Sequence, residues 1–285
     1  MTTESELAAF DIELADGSVL HAYDRRPSSV ASTLSVVWHH GTPNVGSPPA
    51  PLFAAADVLG IRLVGYDRPG YGGSSPRPGR SIRSAAADVA AVVDAFDIGE
   101  FGVMGHSGGG PHALAAAALL PDRVMGAVAV SALAPFDADG LDWFAGMSDT
   151  GRDGLRAAAA GRAAKEAHEA ASTDGDPGFT AADWDALAGE WGWFHSVVTP
   201  AMANGPGGLI DDDLAYVAPW GVDPAGIAAP VLLLHGEDDR IAPIRHAEWL
   251  ARRIPGARLW RAAGDGHISV LRQAESALEW LLGLR

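Results

Sequence analysis

Short apolar, β-branched runs alternate with segments of helical spacing through the first half of the chain, and this alternation limits the possible folds more than any other feature. Leu34–His39 and Ile61–Tyr66 are continuous apolar runs of the kind buried on both faces of a parallel sheet. Between them, a Pro-rich opening at Pro48, Pro49 and Pro51 leads into a helix-like Phe53–Leu59 stretch. Ser81–Phe96 sets Ile82, Ala85, Val89, Val92, Val93 and Phe96 at helical spacing; Phe101–Met104 reads as a strand, Pro111–Leu120 as a helix and Val124–Val130 as a strand. Ahead of these, Phe10–Leu14 and Val19–Tyr23, separated by Asp16-Gly17, predict an antiparallel hairpin. Strand, helix and strand in regular succession predict an α/β fold with a doubly wound, mostly parallel sheet.

The alternation breaks after Ala134. From Pro135 to Ala229 it gives way to Ala-rich helical stretches, a Gly/Asp/Pro loop at Ser172–Gly178 and a second loop at Asn204–Gly208. It resumes with a strand at Val231–Leu234, a helix at Ile244–Arg253, a strand at Arg258–Arg261 and a closing helix at Ser269–Leu282. Structureless loops of about 90 residues are foreign to compact domains. Residues 135–229 are therefore expected to be a helical insertion, and 1–134 with 230–285 the sheet-containing core.

The 285 residues carry 20 Lys+Arg against 36 Asp+Glu, a formal charge of −16, and Lys165 is the only lysine. With no basic cluster to compensate, binding to nucleic acid or to an anionic membrane surface is not expected. The chain has no cysteine, so disulfides, thiolate nucleophiles and Cys-ligated metals are excluded. Met1–Phe10 lacks a basic region followed by an apolar stretch, and no apolar run approaches the ~20 residues that span a bilayer. The expectation is a cytoplasmic protein acting on a small molecule without metal or cofactor; oligomeric state leaves no mark on the sequence.

Gly105-His106-Ser107-Gly108-Gly109 follows the Phe101–Met104 strand and opens the next helix. A serine between a strand end and a helix start sits on a sharp turn, and glycines two residues to either side remove Cβ atoms that would collide. Its Oγ is then exposed over a helix N-terminus, where backbone N–H groups favour developing negative charge. A phosphate-binding turn is the competing reading, weakened by the absence of a P-loop lysine and of dinucleotide-fingerprint spacing.

A serine nucleophile needs a base, and the base a carboxylate to hold its tautomer. His267, in Gly264-Asp265-Gly266-His267 between the last strand and the last helix, is placed at the carboxyl edge of the sheet. His246 shares a helix with Arg245 and Glu248 and reads as a solvated face residue; His112 lies just inside the helix after the elbow, His195 lies among aromatics, and His21 and His168 lack supporting context. Three acids crowd the loop after Val231–Leu234. Asp239 is preferred because Ile241 and Pro243 start the next helix behind it, whereas Glu237 and Asp238 are free to be solvated or to cap that helix. His235 reads as a brace for the loop. His39-His40-Gly41-Thr42-Pro43 ends a strand and is either a plain turn or a source of a backbone donor for an oxyanion; the candidate donors are the N–H groups of Thr42 and Gly108.

These residues carry a resemblance. The His40-Gly41-Thr42-Pro43 turn, the Tyr66–Ser74 segment, the serine elbow, the His235-Gly236-x-x-Asp239 loop and Gly266-His267 together resemble the α/β-hydrolase superfamily across the chain except the insertion. The resemblance implies an eight-stranded sheet, a helical cap made by the insertion, a mainly structural Asp67-Arg68-Pro69-Gly70 loop and the order Ser107, Asp239, His267. Serine at the elbow argues against the superfamily's haloalkane dehalogenases and epoxide hydrolases, which carry aspartate there.

The insertion holds Trp143, Phe144, Met147, Trp184, Trp191, Trp193 and Phe194, with Trp220 near its end. Such aromatics either build the insertion's own core or line an apolar pocket. His40, Trp143, Phe144, Trp191, Trp193 and His195 are the pocket candidates. Glu166, Glu169 and Glu190 read as solvated helix faces, although they could also meet a substrate amine. The expected function is hydrolysis of a small apolar ester or lactone. A proline-iminopeptidase-like amidase, a carbon–carbon bond hydrolase, a cofactor-free haloperoxidase-like enzyme and a non-catalytic receptor are the alternatives. The net charge favours neutral or cationic substrates over polyanions such as acyl-CoA thioesters.

Overall fold

The computed structural model describes residues 7–28, 32–171 and 175–285. Most of the Met1–Phe10 reading and the first three residues of the Ser172–Gly178 loop lie outside the described residues. An eight-stranded sheet runs in the order β1-β2-β4-β3-β5-β6-β7-β8. Its strands are β1 (Ala8–Glu13), β2 (Val19–Arg25), β3 (Leu34–His39), β4 (Ile61–Tyr66), β5 (Phe101–His106), β6 (Val124–Val130), β7 (Val231–Gly236) and β8 (Arg258–Ala262). The β1–β2 and β2–β4 pairs are antiparallel and every other pair is parallel, as the continuous apolar runs from β3 onward require.

Alternating side chains of each strand feed two cores. Val37, Val64, Val103, Ala127 and Leu233 face one side, where α2 (Ala85–Ala95), α3 (Gly109–Leu119) and α9 (Arg245–Arg253) pack. Their neighbours Val36, Leu63, Met104, Val128 and Leu232 face the other, against α1 (Phe53–Leu59) and α10 (Ala274–Leu282). Strand β5 runs two residues beyond the expected Met104, because Gly105 still pairs with His39 of β3 and His106 with Val130 of β6. The expected Ser81–Phe96 helix opens with a short 3-10 turn, Ile82–Ser84.

From β3 the chain steps to β4 on one side and then returns to place β5 on the other. This reversal makes the carboxyl ends of β3 and β5 a topological switch point, the position where open α/β sheets bind ligands. Between β6 and β7 lie α4 (Asp149–Ala159), α5 (Arg162–Ala171), α6 (Ala181–Ala188), α7 (His195–Ala201) and α8 (Gly207–Tyr216), with no strand among the described residues. No helix is long and apolar enough to cross a membrane.

Candidate active site

Ser107 occupies the turn between β5 and α3 with φ +54°, in the left-handed region that non-glycine residues rarely enter. The ladder sets this turn: Ser107 N–H donates to Val130 O at 2.8 Å, and Ser107 O accepts from Gly110 N–H at 2.9 Å. The flanking glycines are sterically required. A Cβ on Gly105 would stand 2.2 Å from Gly109 O, and one on Gly109 would stand 1.9 Å from His39 O.

Three loops at the carboxyl edge bring Ser107, His267 and Asp239 together. Ser107 Oγ lies 2.8 Å from His267 Nε2, and His267 Nδ1 lies 2.8 Å from Asp239 Oδ2. A carboxylate can only accept, so Nδ1 carries the proton and Nε2 is left to receive one from the serine. The other Asp239 oxygen accepts the N–H groups of Ile241 and Ala242 at 2.8 and 2.9 Å, which explains why Asp239 and neither neighbouring acid takes the position. Burial pushes the Asp239 carboxyl up, but the His267 and His235 imidazoles outweigh it and hold the group well below the usual carboxylate range. His235 braces this loop, its Nε2 donating to Ala242 O at 2.6 Å. Among the described residues, neither Thr42 N–H nor Gly108 N–H donates a hydrogen bond. A serine oxygen so arranged can attack an electrophilic carbon while passing its proton to the imidazole.

The pocket expectation for His40 and Trp143 and the solvated-face expectation for His246 are corrected. His40 does not line a pocket: it is 1% exposed, its Nδ1 donating to Gly41 O at 2.7 Å and its Nε2 accepting Arg68 N–H at 3.0 Å. His246 is not solvated. It is fully buried on the inward face of α9, accepting Ala134 N–H at 3.1 Å, while Glu248 on the outer face pairs with Arg261. His195 is exposed. Trp143 is core, donating to Ala134 O at 2.9 Å and packing on His246 and Phe136, and Phe144 sits under Arg156. Trp191 and Trp193 cluster with Phe194, whose ring centroid lies 5.6 Å from that of His106. Glu166 pairs with Arg162, Glu169 with Lys165, and Glu190 is exposed.

Four residues around the site escaped the sequence reading. His106 Nε2 donates to His267 O at 2.9 Å, and burial holds this imidazole neutral, its pKa lowered to about 3. Asp183 of α6 accepts the N–H groups of Ile268 and Ser269. Asp212 of α8 accepts Thr42 Oγ1, Tyr71 OH, Arg68 and Arg80, and Tyr216 OH lies 2.6 Å from Thr42 Oγ1. For Asp212, burial opposes ionisation but the two guanidiniums overcome it, holding the carboxyl well below its ordinary value. Neither Asp183 nor Asp212 stands in a sequence pattern that reports a buried partner, since an acid on a helix carries no local sign of what it will meet. Among the described residues, no group of three or more His, Cys, Asp or Glu side chains could hold a metal ion.

Comparison with known proteins agrees with this architecture. The family model described as alpha/beta hydrolase fold matches residues 35–273. A non-heme chloroperoxidase of Streptomyces lividans is 32% identical over 75% of this chain and 77% of its own length. A second, from Burkholderia pyrrocinia, is 31% identical over 74% and 77%. Among solved structures, a thermophilic esterase from Thermogutta terrifontis superposes with a TM-score of 0.69 at 21% identity, over 97% of this chain and 99% of that one. An enol-lactonase from Burkholderia xenovorans gives 0.69 at 21% identity, over 94% and 97%. At that identity the two structures speak to the fold.

Proposed function

The chain belongs to the α/β-hydrolase fold family, and on that premise we propose that it is a serine hydrolase cleaving a small, largely apolar ester or lactone through an acyl-enzyme. The observation that carries this reading is the unbroken relay from Ser107 Oγ through His267 to Asp239, with both links at 2.8 Å. His267 takes the Ser107 proton as Oγ bonds to the acyl carbon. The N–H groups of Thr42 and Gly108 stabilise the tetrahedral oxyanion. The alcohol departs with the proton from His267. Water, deprotonated by the same imidazole, then cleaves the acyl-enzyme and restores Ser107. Asp239 keeps the tautomer and stabilises the imidazolium. Residues 135–229 act as the cap over a core of 1–134 and 230–285. The charge of −16 favours neutral or cationic substrates.

The test is covalent trapping. An organophosphonate is expected to add mass at Ser107 in the wild type and not in Ser107→Ala, and p-nitrophenyl esters of graded chain length are expected to give saturable turnover. An unlabelled wild type, or an equally labelled Ser107→Ala, overturns the reading.

A second reading rests on the two chloroperoxidase relatives. Hydrogen peroxide replacing water at the acyl-enzyme would release a peracid, which oxidises halide in solution. Bromination of a dye by enzyme, acetate and peroxide, lost in Ser107→Ala, would support it, and peroxide-independent ester turnover alone would oppose it.

A further inference from the structure

We infer that Asp183, on α6 of the segment between β6 and β7, is the positioning residue for His267. The inference rests on the reading of His267 as the catalytic base. Asp183 is 1% exposed, and both its oxygens are saturated. Oδ1 accepts Ile268 N–H and Ser269 N–H at 2.8 Å each and Ser269 Oγ at 3.0 Å. Oδ2 accepts Thr180 N–H and Thr180 Oγ1, both at 2.9 Å. Ser269 Oγ in turn accepts Gly266 N–H at 2.8 Å, so the backbone on both sides of His267 is tied to one carboxylate.

Ser269 opens a 3-10 turn, Ser269–Gln273, whose first N–H groups have no partner within the turn. No residue of the loop itself caps them; a carboxylate more than 80 residues earlier does. The loop wraps it closely: a Cβ on Gly266 would come within 2.1 Å of Asp183 Oδ2. The same segment supports the loop a second time through Phe194, packed on His106, which donates to His267 O. Seating of α6 and aim of the imidazole are thus one structural variable. Misplacing a catalytic group by about 1 Å costs on the order of 100-fold in rate.

The experiment compares Asp183→Ala and Asp183→Asn with Arg162→Ala, which cuts the Asp211 ion pair elsewhere in the same segment. Each variant is titrated at Ser107 with the phosphonate, so that kcat is expressed per competent site. Asp183→Ala is expected to lower kcat per site and the phosphonylation rate by about 10- to 100-fold, with KM changed less than about threefold. It is also expected to abolish or shift the low-field proton resonance of the His267 Nδ1–H to Asp239 bond. Asp183→Asn, which keeps an acceptor oxygen for Ile268 and Ser269, should fall between, and it carries the test if the alanine variant does not fold. Arg162→Ala should match wild type per site. Wild-type kcat per site and an intact resonance in the folded Asp183 variants overturn the positioning role, whatever happens to Tm. Absence of a Ser107 adduct in the wild type overturns the hydrolase reading itself and this inference with it.

Discussion

The hydroxyl of Thr42 donates to the carboxylate of Asp212 at 2.5 Å, across 170 residues of sequence. Asp212 is fully buried and also receives the guanidiniums of Arg68 and Arg80, at 2.6 and 2.5 Å. Arg68 donates onward to the carbonyls of His40 and Gly41. The Thr42 turn is therefore held by Asp212 of α8 and by Arg68, with Arg80 as a second counter-charge to the same carboxylate.

Asp212→Asn should accordingly be severe, because it leaves two buried guanidiniums without a full counter-charge. Breaking a buried ion pair on one side costs about 3–5 kcal/mol. Thr42→Val, which removes a single hydroxyl, should cost about 1 kcal/mol. Urea unfolding monitored by tryptophan fluorescence separates the two; equal midpoints for both variants would contradict this ordering.

Asp239→Asn should preserve the loop and disable the relay. An amide oxygen can still accept the N–H groups of Ile241 and Ala242, but its NH2 then faces His267 Nδ1 and drives the imidazole proton to Nε2. With Nε2 protonated, Ser107 has no acceptor, and kcat should fall by about 10⁴-fold at nearly unchanged KM. Steady-state kinetics on the best ester of the chain-length series checks this, and a loss below about tenfold would refute it.

Ser107 stores backbone strain at φ +54°. Ser107→Gly should relieve it and raise stability by up to about 1 kcal/mol, the left-handed penalty less the entropy glycine loses on folding. Ser107→Ala retains a Cβ and should gain nothing from this source. Thermal unfolding of the two variants side by side is decisive, and identical Tm values would show that the turn is not strained.

Acid should unfold the protein early. Burial holds His39, His106 and His246 at about 3, and His40 and His112 well below the ordinary 6.5. Each folded value lies below the unfolded one, so the stabilisation is complete above about pH 6.5 and is lost as pH falls. Each such group removes about 1.4 kcal/mol per pH unit. Asp213, pushed up to about 6 by burial, and Asp67, also raised by burial, take up protons on folding in the acid range and offset part of this loss. Against a domain stability of about 5–15 kcal/mol, this loss is large enough to unfold the protein before the ordinary carboxylates titrate. Tryptophan fluorescence against pH reports it, and a midpoint below about pH 4 would show that the buried imidazoles do not govern it.

Much of the architecture was legible along the chain because it depends on local periodicity. Continuous apolar runs marked β3 to β7, Asp16-Gly17 marked the hairpin, and the failure of alternation after Ala134 marked the segment that holds α4 to α8. Ser107, Asp239 and His267 could be singled out for a related reason. Each stands beside a strand end with glycines or a helix start around it, and that context is written within a few residues. His246 was misread because its charged neighbours Arg245 and Glu248 describe only the outer face of α9, while His246, Ala247 and Leu250 turn inward.

Composition and periodicity settle two things along the chain: without cysteine, any side-chain nucleophile on the elbow is an oxygen, and spacings of two and 3.6 residues give the strands and helices. Which carboxylates are buried, and what they hold, depends on the folded chain. Asp183 and Asp212 look like ordinary surface acids in sequence, because a charge has no local pattern that reports its partner. Their partners, Ile268 and Ser269 for one and Arg68, Arg80 and Thr42 for the other, lie 85 to 170 residues away and meet them only when the chain between β6 and β7 packs against the loops that carry them.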